Sequence, residues 1–226
     1  MYNTKKNIDK VKRGDHTFFL DPTEANLVKG KLKKDEYNIY KTYPDCNKVI
    51  IYGDKIPKVK LYQIKSKIPL RHQDILGTLF SLNITNEMFG DIIVDDDNYY
   101  IFILDHIDNY IKSNLLFIRN SEIELLEQDL NLLESYQQKY EEYSIIVSSL
   151  RIDTIIARIT NTNRANVIDK IKNKEILVNY NVLTKNSYTL KENDIFSIRK
   201  FGKYKFIGIE KTTKKDNFII KYLKYI

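Results

Sequence analysis

Apolar residues change their period several times along this chain, and each change predicts an element. Near the start, Phe18-Phe19-Leu20 precedes Asp21-Pro22-Thr23-Glu24, which reads as a turn opening a helix. Residues 1–34 are expected to form a helical or partly ordered basic lead-in, with Lys29, Lys31, Lys33 and Lys34 as a solvated helix end. Runs of β type at 48–52 and 58–64 flank the turn signal Gly53-Asp54-Lys55-Ile56-Pro57.

The stretch 58–126 reads β-α-β-β-α-β. VKLYQI is a strand, and an amphipathic helix over 71–82 turns Ile75, Leu76, Leu79 and Phe80 inward. Strands at 92–94 and 99–104 join through Asp95-Asp96-Asp97-Asn98; a second helix over 105–113 and a last strand at 122–126 complete the order. That order is the one of a ferredoxin-like, split βαβ sandwich. Residues 127–143 are polar and acidic, either a helix or a linker.

The chain is organised around the next stretch, 148–205. Ile152, Ile155, Ile156 and Ile159 form one apolar helical stripe, while Arg151, Thr154 and Arg158 occupy another face. Asn163 is a natural N-cap for a second short helix with Val167, Ile168 and Ile171 inward. Ile176 and Val178 then alternate with Leu177 and Asn179 as in a strand. Two short helices, a turn and a β-hairpin carrying arginines outward suit nucleic acid.

Charge sharpens this picture. The net charge is +7, but residues 1–70 hold +8, residues 71–143 hold −11 and residues 144–226 hold +10. A lysine-rich composition does not explain segregation of this size. Arg151, Arg158, Arg164 and Arg199 cluster in the last segment, and Arg grips phosphate with a planar fork that Lys lacks. Three pieces are therefore expected: a basic N-terminal region (1–57), a middle domain with an acidic linker (58–143) and a C-terminal module ending in a β-hairpin (144–226).

The residues of the C-terminal stretch also carry a resemblance. Arg151-Ile152-Asp153, Asn163-Arg164, Ile176-Leu177-Val178-Asn179 and Asn193-Asp194-Ile195 follow the pattern R-L-D … S-R … G-x-V-x-V-N … G-D-x-I. In this it resembles the RNA-binding domain named after small-subunit ribosomal protein S-four. Asn163 stands for the usual Ser, Lys174 for a common Gly, and Asn193 for the Gly of the Gly-Asp pair. The block from Arg71-His72-Gln73-Asp74 to Gly90-Asp91-Ile92-Ile93-Val94 is similar to the H-R-D-x-L-G-A-L … G-D-I-x-V block of the bacterial YlmH family. Phe19-Leu20-Asp21-Pro22, Val147-Ser148-Ser149-Leu150-Arg151 and Ser197-Ile198-Arg199-Lys200-Phe201-Gly202-Lys203 match that family too, whereas its Gly-Gly-Tyr-x-x-Ala-Glu-Arg run is missing around 35–60.

The resemblance implies an α+β protein with an RRM-like middle domain, an S-four-type C-terminal domain and a small N-terminal α/β region. It implies a cytoplasmic, non-enzymatic RNA-binding protein of the ribosome. The expected targets are rRNA of the large subunit and tRNA, in rescue or quality control of stalled translation. RNA contact is expected from Arg151, Arg158, Arg164, Lys174, Arg199, Lys200 and Lys203, with hydrogen bonds or base stacking from Asn163, Asn179 and Tyr204. A monomer without cofactor is expected. The alternatives are an RNA-modifying enzyme of pseudouridine-synthase type and a protein-interaction factor linked to cell division. The enzyme needs a large catalytic domain, and about twenty residues follow Lys205.

Other chemistry finds little footing. No apolar run approaches the roughly 20 residues of a membrane span, and the start has no apolar segment of a secretory leader. The single Cys46 excludes an internal disulfide and a thiolate zinc site. His16, His72 and His106 lack metal-ligand spacing. Arg71-His72-Gln73-Asp74 resembles a kinase catalytic loop without its Gly-rich loop, and reads as a capped helix start. Asp95–Asp97 lacks the Gly and closing Glu of an EF-hand and reads as an acidic hairpin turn. Asp153 is expected to pair with an Arg or support its helix's first turn rather than act as an acid or base.

Overall fold

In the computed structural model, which describes residues 2–226, packing divides the chain into two units, Met1–Gln137 and Gln138–Ile226. Met1, part of the expected lead-in, lies outside the described residues.

In the first unit, α1 (Tyr2–Lys12) and α2 (Pro22–Lys29) precede the antiparallel hairpin β1 (Asn38–Lys41) and β2 (Val49–Tyr52). The predicted helix start at Asp21 is a capping box: the Glu24 N–H donates to Asp21 Oδ1 (2.8 Å), and the Asp21 N–H donates to Glu24 Oε2 (3.2 Å). The lead-in is ordered because Val11, Leu20, Ala25, Val28 and Ile51 form a core of their own. Gly53 allows the turn after β2 to lie against α1, since a Cβ there would meet the Val11 carbonyl at 2.6 Å.

The middle stretch has the expected element order. It comprises β3 (Val59–Ser66), α3 (His72–Ser81), β4 (Phe89–Asp95), β5 (Asn98–Leu104), α4 (Asp108–Asn114), β6 (Phe117–Ile118) and β7 (Ser121–Gln128). The sheet runs β4-β5-β3-β7-β6 with every neighbour antiparallel. Alternation along the strands loads both faces. Tyr62, Ile64, Ile101 and Ile103 meet Ile75, Leu79 and Ile111 of the helices. Leu61, Phe102 and Ile93 meet Phe19, Tyr43 and Ile50 from the N-terminal segment.

Residues 1–57 are thus the second cover of this sheet, and no boundary between units falls at 57/58. The boundary near 143 also differs. Residues 130–133 form a single 3-10 turn with Leu133 buried, and strand structure resumes at Tyr140, so 127–143 contains no α-helix.

The second unit is one six-stranded antiparallel sheet with two helices on one face. β8 (Tyr140–Val147) leads to α5 (Ile152–Ile159) and α6 (Arg164–Lys172). β9 (Ile176–Val178), β10 (Asn181–Val182), β11 (Ile195–Ile198), β12 (Gly202–Thr212) and β13 (Phe218–Tyr225) follow, in the order β10-β9-β11-β12-β13-β8. Ile152, Ile155, Ile156, Val167 and Ile171 bury the helices against Ile176, Phe196, Ile198 and Ile220. β8 pairs with β13 along its whole length, from Tyr140↔Tyr225 to Val147↔Phe218, so residues 140–143 belong to this unit rather than to a linker.

A charged network crosses the helix-side edge of the first sheet. The buried Asp108 accepts from Tyr62 Oη, from Lys60 Nζ (2.8 Å) and from Lys112 Nζ (3.0 Å). Burial alone would raise its pKa, but these donors outweigh burial and hold the carboxyl at about 2. Because the folded pKa is depressed, the ionised carboxylate contributes stability that is complete above its ordinary 3.8 and is lost as pH falls through about 2. Asp108→Ala is expected to cost about 2 kcal/mol, the low end for a broken buried pair, since both lysines can rehydrate. Denaturant unfolding at neutral pH measures that loss, and the variant's stability should change less between pH 4 and pH 2 than the wild type's.

Candidate nucleic-acid interface

The site begins at the first turn of α5. Arg151 is the N-cap residue, and the Ile152 N–H donates to the Tyr188 carbonyl (2.8 Å), which fixes where the helix starts. Asp153 follows on the inner side with 0% exposure. Arg151 Nε donates to Asp153 Oδ1 (3.2 Å) and Nη2 to Oδ2 (2.8 Å). Arg164 Nη2 reaches the same Oδ2 at 2.8 Å from the start of α6. One buried carboxylate thus ties two helix starts together and holds two guanidinium groups whose side chains stay 38% and 53% exposed.

Burial pushes the Asp153 carboxyl upward, but the Arg151 and Arg164 hydrogen bonds win and keep it below 3.8. The expected role as an Arg partner in the first helical turn is the one it has. It is not a general acid or base in this setting, because two fixed cations hold it ionised.

Asn163 caps α6 as its position predicts, with Oδ1 accepting from the Asn166 N–H at 2.8 Å. Arg158, further along α5, is exposed and makes no ion pair among the described residues. At the other end of α6, Lys174 takes φ +58 and closes the helix: its N–H donates to Ile171 O (3.0 Å) and the Glu175 N–H to Lys170 O (2.9 Å). A lysine therefore occupies the left-handed position where Gly is usual. Arg199 and Lys200 are exposed in the β11–β12 turn, which the Arg199 N–H ties to Glu175 O (2.9 Å) beside Lys174.

The cations fall into two groups: Arg151, Arg158 and Arg164 with the helix starts, and Lys174, Arg199 and Lys200 at one end of the sheet. The length of α6 separates them by roughly 13 Å at 1.5 Å per residue, so no single phosphate bridges both.

Three expected site residues are placed differently. Tyr204 is a core residue, 4% exposed; its ring stacks on Phe196 (5.3 Å between centroids) and its hydroxyl donates to the Phe201 carbonyl (3.0 Å). Alternation in β12 turns it inward, so it offers no face to a base. Asn179 takes φ +47, and its amide serves the fold: Nδ2 donates to Asp194 Oδ1 (2.8 Å) while Oδ1 accepts from the Ile195 N–H (2.9 Å). Lys203, next to the inward Tyr204, lies on the opposite sheet face from the helices, with Nζ 4.9 Å from the Tyr180 ring and 4.4 Å from the Tyr225 ring.

Elsewhere, Arg71 and Asp74 form the N-terminal cap of α3, with Arg71 Nη2 2.9 Å from Asp74 Oδ1. Asp95–Asn98 is the turn between β4 and β5. Among the described residues, no group of three or more His, Cys, Asp or Glu side chains is arranged to hold a metal ion, and no helix is long and apolar enough to cross a membrane.

Asp153→Asn keeps the shape but removes the charge that holds both arginines, and is expected to cost roughly 2–3 kcal/mol. The folded carboxyl lies below its ordinary value, so the wild-type contribution is full above about pH 4 and fades as pH falls further. Thermal melts of both proteins from pH 7 downward check this: their difference should be greatest at pH 7 and shrink in acid.

Comparison with known proteins adds an independent line. A family model described as "Putative RNA-binding domain in YlmH" matches residues 58–132. The "Ribosome-associated protein quality control protein P2" of Bacillus subtilis (strain 168) is 27% identical over 155 residues, which is 69% of this chain. The match spans 60% of that relative's length. The structure titled "Cell division protein ylmH from Streptococcus pneumoniae" superimposes with a TM-score of 0.50 at 19% identity, covering 59% of this chain and 91% of that one. The third comparison speaks for the fold alone, while the first two, with the sequence block at 71–94, make residues 58–132 similar to the RNA-binding domain of the YlmH family.

Proposed function

We propose that this chain is a non-catalytic RNA-binding factor of the ribosome, working in the cytoplasm as a monomer and without a cofactor. Its targets are rRNA of the large subunit and tRNA, in rescue or quality control of stalled translation. The observation that carries this reading is the Asp153-centred pair Arg151–Arg164, built into a unit with 18 Lys+Arg against 9 Asp+Glu, a net +9 over residues 138–226. Guanidinium groups held by a buried carboxylate have already lost much of their conformational freedom, so each phosphate contact costs less entropy.

The order of helices and strands in 144–226 supports an S-four-type RNA-binding domain. The order β4-β5-β3-β7 supports an RRM-like middle domain within 58–143, with 1–57 as an added layer. That layer matters for the reading. An RRM stacks bases on the sheet face away from its helices. Here that face is filled by Phe19, Tyr43, Ile50 and Leu133, and residues 58–132 hold 7 Lys+Arg against 12 Asp+Glu. The middle domain therefore works as a scaffold or faces a basic ribosomal protein, and phosphate contact belongs to the C-terminal domain. Arg151, Arg158, Arg164, Lys174, Arg199 and Lys200 make that contact, and the Asn163 amide nitrogen is available to donate.

The name of the Bacillus subtilis relative refers to ribosome-associated quality control, which is the setting this reading adopts. Tagged protein in lysate is expected to sediment with large ribosomal subunits on a low-salt sucrose gradient. It should leave them at high salt, because displaced counterions drive phosphate binding. With six cations engaged on single-stranded RNA, affinity should fall on the order of 10²-fold between 50 and 200 mM salt. Arg151→Gln/Asp153→Asn/Arg164→Gln, which removes both guanidinium groups without stranding a buried carboxylate, should stay at the top of the gradient while keeping a cooperative melting transition. Wild-type protein at the top of the low-salt gradient would refute the ribosomal reading, and turnover of uridine-containing RNA would refute the non-catalytic one.

A further inference from the structure

The turn between β11 and β12 is built in a way the fold does not require. The Phe201 N–H donates to Ile198 O (2.9 Å), closing a four-residue turn whose third residue, Lys200, has φ +71. A turn of that kind favours Gly at this position, and a lysine there is strained. The carbonyl of Phe201 is held as well, by the Tyr204 hydroxyl. Both polar backbone groups of Phe201 are thus pinned while the residue remains 38% exposed.

One cation lies over that ring and three more neighbour the turn in the backbone. Lys170 Nζ lies over the ring at 5.4 Å from the centroid, and the same nitrogen is held by Glu175 at 3.2 Å. Lys174, the second lysine in a left-handed conformation, sits beside the turn through the Arg199 N–H bond to Glu175 O. Lys174, Arg199 and Lys200 are exposed and make no ion pair among the described residues. Of the acidic residues on α6 and its closing turn, Glu175 pairs with Lys170, and Asp169 pairs with Lys172 at 3.4 Å.

We propose that Phe201 is a stacking platform for an unpaired nucleobase, with Lys174, Arg199 and Lys200 taking the phosphates on either side of it. This rests on the RNA-binding reading above and adds a base contact to its phosphate contacts. An apolar protein partner fits less well, because covering the ring would bury three cations without counter-charges. A strand of RNA supplies a flat ring and the anions together. Strained lysines where glycine is at ease are understandable if their charge is what the position is for.

The chain has no tryptophan, so Phe201→Trp introduces a single indole reporter. Its fluorescence should be quenched on titrating the full-length protein with a short polyadenylate strand at low salt, and not with an abasic strand of the same length. Phe201→Ala should bind polyadenylate roughly 5- to 100-fold more weakly, the range for one stacked base, with an unchanged salt slope. It should bind the abasic strand as the wild type does. Lys200→Gly gives a readout that a structural role would not: its melting temperature should rise by roughly 2–4 °C while affinity falls and the salt slope becomes shallower. If Phe201→Ala binds like wild type while the folded Arg151→Gln/Asp153→Asn/Arg164→Gln variant does not bind, the platform is wrong and the phosphate site stands. If the wild type binds neither strand, both readings fall.

Discussion

A carboxylate with no solvent contact stays ionised only where cations reach it, and Asp153 is in that position. Arg151 reaches it from its own helix start and Arg164 from the next, so the demand of one buried charge sets how α5 and α6 meet. The caps act in the same direction. Asn163 ends the connection between the helices on the residue before Arg164, and the Tyr188 carbonyl receives the first N–H of α5. Once those contacts are made, the apolar stripe of α5 and the inward residues of α6 face the sheet, and the arginine heads have one place to go. The most strongly basic part of the chain thus owes its geometry to an acid.

The first unit solves a different problem. Its sheet carries apolar residues on both faces, as Leu61 beside Tyr62 and Phe102 between Ile101 and Ile103 make plain, and a single pair of helices covers one face only. The N-terminal segment covers the other. Its hydrogen bonds are as specific as its packing: Tyr43 Oη and the Asn47 N–H both donate to Asp91 Oδ2, and Lys48 Nζ donates to the carbonyls of Asn86 and Phe89. Burial lowers the Lys48 pKa to about 8, while Asp91 and Glu24 work in the opposite direction. A sheet sealed in this way has no open face, and residues 58–132 carry 7 Lys+Arg against 12 Asp+Glu.

The two units therefore divide the chemistry. In the first, Lys60 and Lys112 are spent internally on Asp108. In the second, Arg158, Lys174, Arg199 and Lys200 remain in solvent, Lys170, Lys172 and Lys221 pair with Glu175, Asp169 and Glu142, and Arg151 and Arg164 are anchored on the buried Asp153.

Local periodicity and capping chemistry were enough to read part of the element order from the sequence, though not the strands Asn38–Lys41, Phe117–Ile118 and Tyr140–Val147. Asp21-Pro22-Thr23-Glu24, Asn163 and the isoleucine stripe of α5 act within a few residues, and short-range hydrogen bonds or a helical period leave a direct trace. Charge segregation and the arginine cluster were legible for the same reason. Tertiary structure decided the rest. Tyr204 and Phe201 lie three residues apart in one basic motif, and only the register of β11 against β12 buries the first and exposes the second. Asn179 was given up to the fold by Asp194, fifteen residues away, and Asp153 was claimed by an arginine eleven residues on. Residues 1–57 became a layer because two strand faces far along the chain had apolar surface to cover. Each of these depends on contacts between segments distant in sequence, for which a period or a cap carries no information.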